Sequence, residues 1–145
     1  MSLDRLLFLT DTDTTVGFLS KDPQRLDRAK KRPASKHYIT ALPSLKELTA
    51  RTRIPRKFRS RIRRSRRESY IFPSGRSYRI VRDARHLLLL RRLKWAYTSS
   101  ANLSETPFDE AYAREAADVT VEPLGPPRAP SRIYRLGRRK MRRLR

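Results

Sequence analysis

Residues 69–98 read SYIFPSGRSYRIVRDARHLLLLRRLKWAYT, and this stretch decides the fold class. Two short runs rich in aromatic and β-branched residues, Ser69-Tyr70-Ile71-Phe72 and Ser77-Tyr78-Arg79-Ile80-Val81, flank Pro73-Ser74-Gly75-Arg76. The proline and glycine suit a hairpin turn, so the two runs are expected to pair antiparallel. The leucines of residues 83–94 predict a helix, and Trp95-Ala96-Tyr97-Thr98 predicts a further strand. A hairpin followed by a helix and another strand belongs to a mixed sheet with helices packed on it.

The pattern extends in both directions. Toward the N-terminus, residues 5–10 read as a short buried strand, and Asp22-Pro23 supplies an N-cap and first-turn proline for a helix over about 22–31. His37-Tyr38-Ile39-Thr40-Ala41 reads as a strand, and Ser44 with Glu47 forms a capping box that opens a second helix. A third helix starts near Pro55, where Ile54, Phe58 and Ile62 recur every four residues and draw one apolar line among arginines. Toward the C-terminus, Thr106-Pro107 with Asp109 opens a helix running to about 117, while residues 118–121 and 132–136 read as strands. The segment Pro123 to Pro130 is extended or turn-like. The expected fold is α/β, a twisted mixed open sheet with helices packed on it, in one domain over residues 1–136 followed by a basic C-terminal tail, 137–145.

Length and composition agree with one domain. The 145 residues are 37% hydrophobic, with 6 Tyr, 5 Phe and one Trp, enough for a core. Cysteine is absent, which excludes disulfides, zinc–thiolate sites and a cysteine nucleophile. Leu87-Leu88-Leu89-Leu90 is fenced by Arg85 and Arg91, and the apolar patch Leu6-Leu7-Phe8-Leu9 ends at Thr10-Asp11. No membrane span, export signal or membrane partner is therefore expected, and the expected location is cytoplasmic.

The net charge of +22, from 36 Lys and Arg against 14 Asp and Glu, points to a polyanionic partner. Residues 51–67 carry ten Lys or Arg and no acid, residues 132–145 carry eight and no acid, and residues 105–122 hold six acids and one Arg. On the helix, Arg56, Arg59, Arg63 and Arg66 are candidate contacts to structured RNA or tRNA, joined by Arg138 and Arg139 in the tail; the alternative is a solvated helix face and a frayed end. His37 and His86 lie far apart and in no metal-ligand spacing, so no metal site is expected from them. Nothing in the sequence specifies an oligomer.

Four polar islands stand beside the expected strands: Thr12-Asp13-Thr14-Thr15-Val16-Gly17, Lys30-Lys31-Arg32-Pro33, Thr98-Ser99-Ser100-Ala101-Asn102 and Pro130-Ser131-Arg132-Ile133. The four glycines make neither a dinucleotide fingerprint nor a P-loop, so a nucleotide site here must be built otherwise. Taken alone, the first island reads as a turn satisfying its own backbone, and Lys30 and Arg32 as cations at a helix end. The hydroxyls after Thr98 suit phosphate or ribose oxygens, or a tight loop.

In order and spacing together, the islands resemble the YrdC/YciO family. Its P-T-[ED]-T-V-Y-G-L signature is similar to Asp11-Thr12-Asp13-Thr14-Thr15-Val16-Gly17-Phe18, and its K-x-R-P to Lys30-Lys31-Arg32-Pro33. Its V-R-V-P strand resembles Tyr78-Arg79-Ile80-Val81, its S-A-N-x-S-G resembles Ser100-Ala101-Asn102-Leu103-Ser104-Glu105, and its P-S-T-[IV] resembles Pro130-Ser131-Arg132-Ile133. Asp11, Val16, Val81 and Glu105 replace family residues, and the family's P-G-P-x-T loop has no counterpart in residues 63–69.

The resemblance implies a YrdC-like fold with a concave surface for ATP and L-threonine. It further implies the reaction of a threonylcarbamoyl-AMP synthase: bicarbonate is captured on the threonine amine, the carbamate attacks ATP, and pyrophosphate leaves, usually with Mg²⁺, for the threonylcarbamoyl modification of tRNA. Under that reading Lys30 and Arg32 serve catalysis through phosphate and carboxylate contacts, while Thr12, Thr14 and Arg79 bind substrate. Ser100, Asn102 and Ser131 bind the nucleotide. The alternative is a noncatalytic relative that binds double-stranded or structured RNA, free or ribosome-associated.

Overall fold

The structure, a computed structural model, describes residues 2–32, 37–126 and 128–145. A 3₁₀ turn at Leu3–Arg5 precedes β1 (Phe8–Thr10), β2 (Gly17–Ser20) and α1 (Pro23–Lys30). Then come β3 (Ile39–Leu42), α2 (Leu45–Arg51), α3 (Arg56–Arg64), β4 (Glu68–Ile71) and β5 (Ser77–Ile80). The chain ends through α4 (Ala84–Leu93), β6 (Ala96–Ser100), α5 (Glu110–Ala116), β7 (Val119–Val121), β8 (Arg132–Leu136) and β9 (Met141–Arg143).

The central hairpin forms as its turn chemistry requires. Phe72 N–H donates to the Arg76 carbonyl at 2.9 Å and Gly75 N–H to the Phe72 carbonyl at 2.8 Å. Gly75 takes φ 88°, a conformation that a side chain would strain. The helix starts are set by side-chain caps: Asp22 accepts from Gln24 N–H, Ser44 from Glu47 N–H and Asp83 from His86 N–H.

One nine-stranded sheet runs in the order β7-β1-β2-β6-β3-β5-β4-β8-β9. Three pairs are parallel (β1 with β7, β3 with β5, β4 with β8) and the other five antiparallel, which makes the sheet mixed. Because side chains alternate along each strand, every row of facing residues shares one side. One side is covered in two halves. Leu26 and Ala29 of α1 and Ala113 of α5 pack on Leu9 and Phe18, whereas Leu48 of α2 and Phe58 and Ile62 of α3 pack on Tyr70, Tyr78 and Tyr134. On the opposite side, Leu90 and Leu93 of α4 cover Phe8, Leu19, Ala41 and Ala96. Each large apolar side chain buried by α3 contributes about 1.5–3 kcal/mol, which offsets the self-repulsion of the surrounding cations.

Four expectations are corrected. The first strand begins at Phe8, because Ser2 accepts from Asp4 N–H and winds residues 3–5 into a 3₁₀ turn. Gly17–Ser20, part of it read as a polar island, is a central strand flanked by β1 and β6. The helix expected from Thr106 begins at Glu110: Thr106 Oγ1 is taken by the Leu103 carbonyl, and Asp109 accepts from Tyr112 N–H instead. Finally, residues 137–145 are not a tail detached from the domain; Met141, Arg142 and Arg143 pair with Leu136, Arg135 and Tyr134, extending the sheet by an edge strand. Arginine on an edge strand keeps its open hydrogen-bonding groups from recruiting another chain. Among the described residues, no helix is long and apolar enough to cross a membrane.

Candidate functional site

The islands converge beside α4. The first turns back on itself: Thr12 Oγ1 accepts from Thr14 N–H at 3.1 Å and also bonds the Thr15 carbonyl. Thr12 therefore holds the turn, and Thr14 is presented beyond it. Gly17 follows because backbone must pass close by; a Cβ there would sit 3.1 Å from Thr12 Cγ2 and 3.2 Å from the Ser99 carbonyl oxygen.

Arg79 on β5 reaches this turn. It is 5% exposed, its Nη1 donates to Thr14 Oγ1 at 3.1 Å, and its Nε lies 3.9 Å from Asp13 Oδ1. Burial pulls the guanidinium below its usual value, Asp13 opposes that pull and Arg145 adds to it. Among the described residues, neither Asp13 oxygen has a hydrogen-bond partner, nor does Arg79 Nε. The group stays cationic at neutral pH.

Lys30 closes α1 and fixes the third island. Its Nζ donates to the Ser100 and Asn102 carbonyls, both at 2.8 Å, and burial with the nearby Arg32 charge pulls it down to about 8. Ser100 Oγ donates to Asn102 Oδ1, and Asn102 Nδ2 donates to the Leu103 and Thr106 carbonyls at 2.8 and 2.7 Å. Glu105, standing where the motif has glycine, adopts φ 64°, so the backbone keeps the glycine conformation although the residue has changed. Arg32 stacks over Tyr38 at 4.4 Å and donates to the His37 carbonyl at 3.3 Å, with its Nε unpartnered. Pro33 lies outside the described residues.

The fourth island joins at the far wall. Ser131 Oγ lies 2.8 Å from Ser69 Oγ, and the Ser131 carbonyl accepts from Arg145 Nε and Nη2 at 3.1 and 3.0 Å. Together the islands enclose a cleft of about 340 Å³ lined by Thr14, Lys30, Arg32, Arg79, Ser100, Asn102 and Ser131. Thr12 does not line it. Arg145 does, and sequence reasoning missed it because it was assigned to the tail. Only its place just after β9 could have revealed it, and Met141-Arg142-Arg143 carries no alternation of apolar and polar residues to mark that strand. Residues 63–69 contribute nothing to the lining; Ser69 acts on the site through Ser131.

Four cations, Lys30, Arg32, Arg79 and Arg145, thus face one cleft with a single lining acid, Glu105, and several hydroxyls. Such a set binds phosphate or carboxylate and neutralises charge developing on a phosphoryl group. Among the described lining residues, no hydroxyl is hydrogen-bonded to a histidine or carboxylate. His37 is exposed at the rim, while His86 is 0% exposed and both its ring nitrogens lack partners among the described residues.

The arginines expected to contact RNA lie elsewhere. Arg56, Arg59, Arg63, Arg66, Arg138 and Arg139 are all exposed and none lines the cleft. The two basic blocks do meet, because Lys57 Nζ donates to the Arg139 carbonyl at 3.0 Å.

Known structures share this fold. P. abyssi Sua5 complexed with L-threonine is similar at a TM-score of 0.79 and 18% identity, over 97% of this chain and 50% of that one. E. coli YciO is similar at a TM-score of 0.76 and 15% identity, over 97% and 82% of the two chains. The solution structure of MTH1692 from Methanobacterium thermoautotrophicum gives 0.67 and 18%, over 96% and 79%. The chain spans about half the length of the Sua5 protein it resembles. No protein-family model matches the sequence, and no curated protein matches it. The chain therefore has the YrdC/YciO-type fold that its motifs implied.

Proposed function

We propose that this chain is a threonylcarbamoyl-AMP synthase-type protein whose cleft binds L-threonine and ATP. The observation that carries the reading is the convergence of Thr14, Lys30, Arg32, Arg79, Ser100, Asn102 and Ser131, far apart in sequence, on one cationic cleft. The fold is shared with a Sua5 structure complexed with L-threonine, which supports the amino-acid ligand.

The threonine amine attacks bicarbonate and water leaves, giving a carbamate. A carbamate oxygen attacks the α-phosphorus of ATP, the bond to the bridging oxygen breaks, and pyrophosphate departs; the acyl adenylate is the activated donor for tRNA modification. No side chain becomes covalently attached, so the protein acts by positioning and charge neutralisation. Arg32 lines the cleft with its guanidinium over Tyr38, so its planar fork suits a carboxylate or phosphate oxygen. Lys30 spends two of its three donors on the Ser100 and Asn102 carbonyls, which leaves one N–H for a phosphate oxygen. Arg79 is oriented by Thr14 and Asp13, and its remaining donors serve the anion. Ser131 offers a hydroxyl to the nucleotide, whereas Ser100 Oγ and Asn102 Oδ1, whose own N–H and O–H donors are spent inside the loop, serve it as acceptors.

Mg²⁺ would reach the cleft on the nucleotide. Among the described residues no three His, Cys, Asp or Glu side chains cluster as a metal cage, although the buried Asp13 carboxylate has both oxygens without hydrogen-bond partners. Bound there, the ion would supply further charge neutralisation on the triphosphate.

The test is calorimetric titration with L-threonine and ATP, alongside pyrophosphate release. Binding of both ligands is expected, with release requiring threonine and bicarbonate together; release indifferent to threonine would sink the proposal. Arg32→Ala is expected to weaken the anionic ligand about tenfold or more, since a hydrogen bond to a charged group contributes about 1.5–3 kcal/mol.

A pH profile tests Lys30 separately. Its folded value, about 8, lies below the ordinary 10.5. Between those values the unfolded chain holds a proton that the folded chain has released, so the empty fold gains stability as pH rises while the cleft loses a cation. Anion affinity is expected to fall as pH rises above 8, and this fall should vanish in Lys30→Met. An unchanged profile in the variant would place the titration elsewhere.

A second reading, RNA binding without catalysis, is favoured by the joining of α3 to the Arg138-Arg139 turn through Lys57. RNA binding itself is compatible with the first reading, because those arginines stand outside the cleft; the two readings part on catalysis alone.

A further inference from the structure

The sheet face opposite Arg79 opens into a second groove, of about 600 Å³, lined by Pro23 of α1 and Arg51 of α2. Its floor is aromatic. The register sets Tyr97, Thr40 and Tyr78 in one row across β6, β3 and β5, so their side chains share a face. Trp95 stands beyond the row, edge-on to Tyr97 with ring centroids 5.1 Å apart. Lys21 and Arg51 lie 5.1 and 5.4 Å from the Trp95 centroid. Trp95 and Tyr97 are only partly buried, and Arg51 and Arg76 are exposed. No acid occurs among the described lining residues. The groove meets the cationic cleft at His37 and Tyr38, which line both. At its other end Ser74 is shared with a hollow lined by Arg53, Arg56 and Arg138.

We propose that this groove binds an unpaired stretch of RNA, its bases stacked on Trp95 and Tyr97 and its phosphates running past Arg51 and Arg76 toward Arg53, Arg56 and Arg138. An aromatic floor under cationic walls is what a single strand needs: every base offers a π face, and the backbone is matched by charge. A duplex keeps its bases stacked inside and could use only the arginines. An acidic peptide would satisfy the arginines and leave the rings unused. Ser74, Ser77 and Thr40 add hydroxyls able to bond a 2′-OH, which favours RNA over DNA. The inference concerns a surface distinct from the cationic cleft and does not depend on its chemistry.

Trp95 is the chain's one tryptophan, so its fluorescence reports on the groove directly. An oligouridylate is expected to quench Trp95 saturably, whereas heparin and an RNA duplex of equal charge leave it unchanged. Tyr97→Leu is expected to weaken the oligouridylate about tenfold, the loss of one stacking platform, and to leave duplex affinity unchanged. Arg51→Gln with Arg76→Gln, both at exposed positions, should weaken the single strand and flatten its salt dependence without disturbing the core. Equal quenching by heparin would reduce the groove to surface charge. A Trp95 response to polyglutamate but not to oligouridylate, or equal loss of duplex and single strand in Tyr97→Leu, would also overturn the proposal. Titration of the Tyr97→Leu protein with ATP and L-threonine separates this outcome from failure of the cleft reading, since its cleft is intact.

Discussion

Arg79→Met is expected to destabilise the protein by about 3–5 kcal/mol, the cost of leaving a buried charge without its partner, and to abolish anion binding in the cleft. Arg79 is 5% exposed and Asp13 is 7% exposed, and the guanidinium is the only cation paired with Asp13 among the described ion pairs. Both Asp13 oxygens already lack hydrogen bonds, so no other group among the described residues compensates the carboxylate once Arg79 is gone. Thr14 would also lose the donor that orients its hydroxyl. Methionine fills much of the arginine volume, so the loss should come from the charge rather than from a cavity. Adding Asp13→Asn removes the orphaned charge and should recover most of the stability but none of the binding. Urea denaturation of the two single variants and the double gives the coupling. Additive losses would mean that the pair at 3.9 Å carries no energy, and that Arg79 is held by Thr14 alone.

How much of this was legible follows from what each residue must satisfy. The Pro73–Arg76 turn and the caps at Asp22, Ser44 and Asp83 are local devices, whose partners lie within a few residues, and the sequence displays them directly. The apolar line Ile54, Phe58, Ile62 is local too, and all three side chains are buried. Seven residues of the cleft were legible because their motifs sit at strand and helix ends, which the sheet then gathers. What stayed hidden depends on distant pairing. Gly17–Ser20 has no strand composition at its ends, yet β1 and β6 supply a partner on each edge. Met141–Arg143 is ordered by β8, and that pairing carries Arg145 to the Ser131 carbonyl. Thr12 belongs to the right motif, but its hydroxyl is consumed by the turn that presents Thr14. The aromatic row is likewise a product of register, since Tyr97, Thr40 and Tyr78 come from three separate strands.

Acidification from pH 7 to pH 5 is expected to cost about 2 kcal/mol of stability through His86 alone. His86 lies in the first turn of α4, where its N–H donates to Asp83 Oδ2 at 2.9 Å, but it is 0% exposed and neither ring nitrogen has a partner among the described residues. Burial, and then the Arg79 charge, pull it down to about 3 from an ordinary 6.5. Between those values the unfolded chain takes up a proton that the folded chain refuses, so stability is full above 6.5 and drains away as pH falls toward 3. Ordinary carboxylates remain ionised at pH 5, so this window isolates the histidine from them. The wild-type melting temperature should fall by roughly 6 °C between pH 7 and pH 5, and His86→Leu should hold its value over the same range. A parallel fall in both proteins would show that some other group takes up the proton. The Arg79→Met variant provides an internal check: without the neighbouring cation His86 accepts a proton more readily, so the acid slope of that protein should be shallower even though its stability is lower throughout.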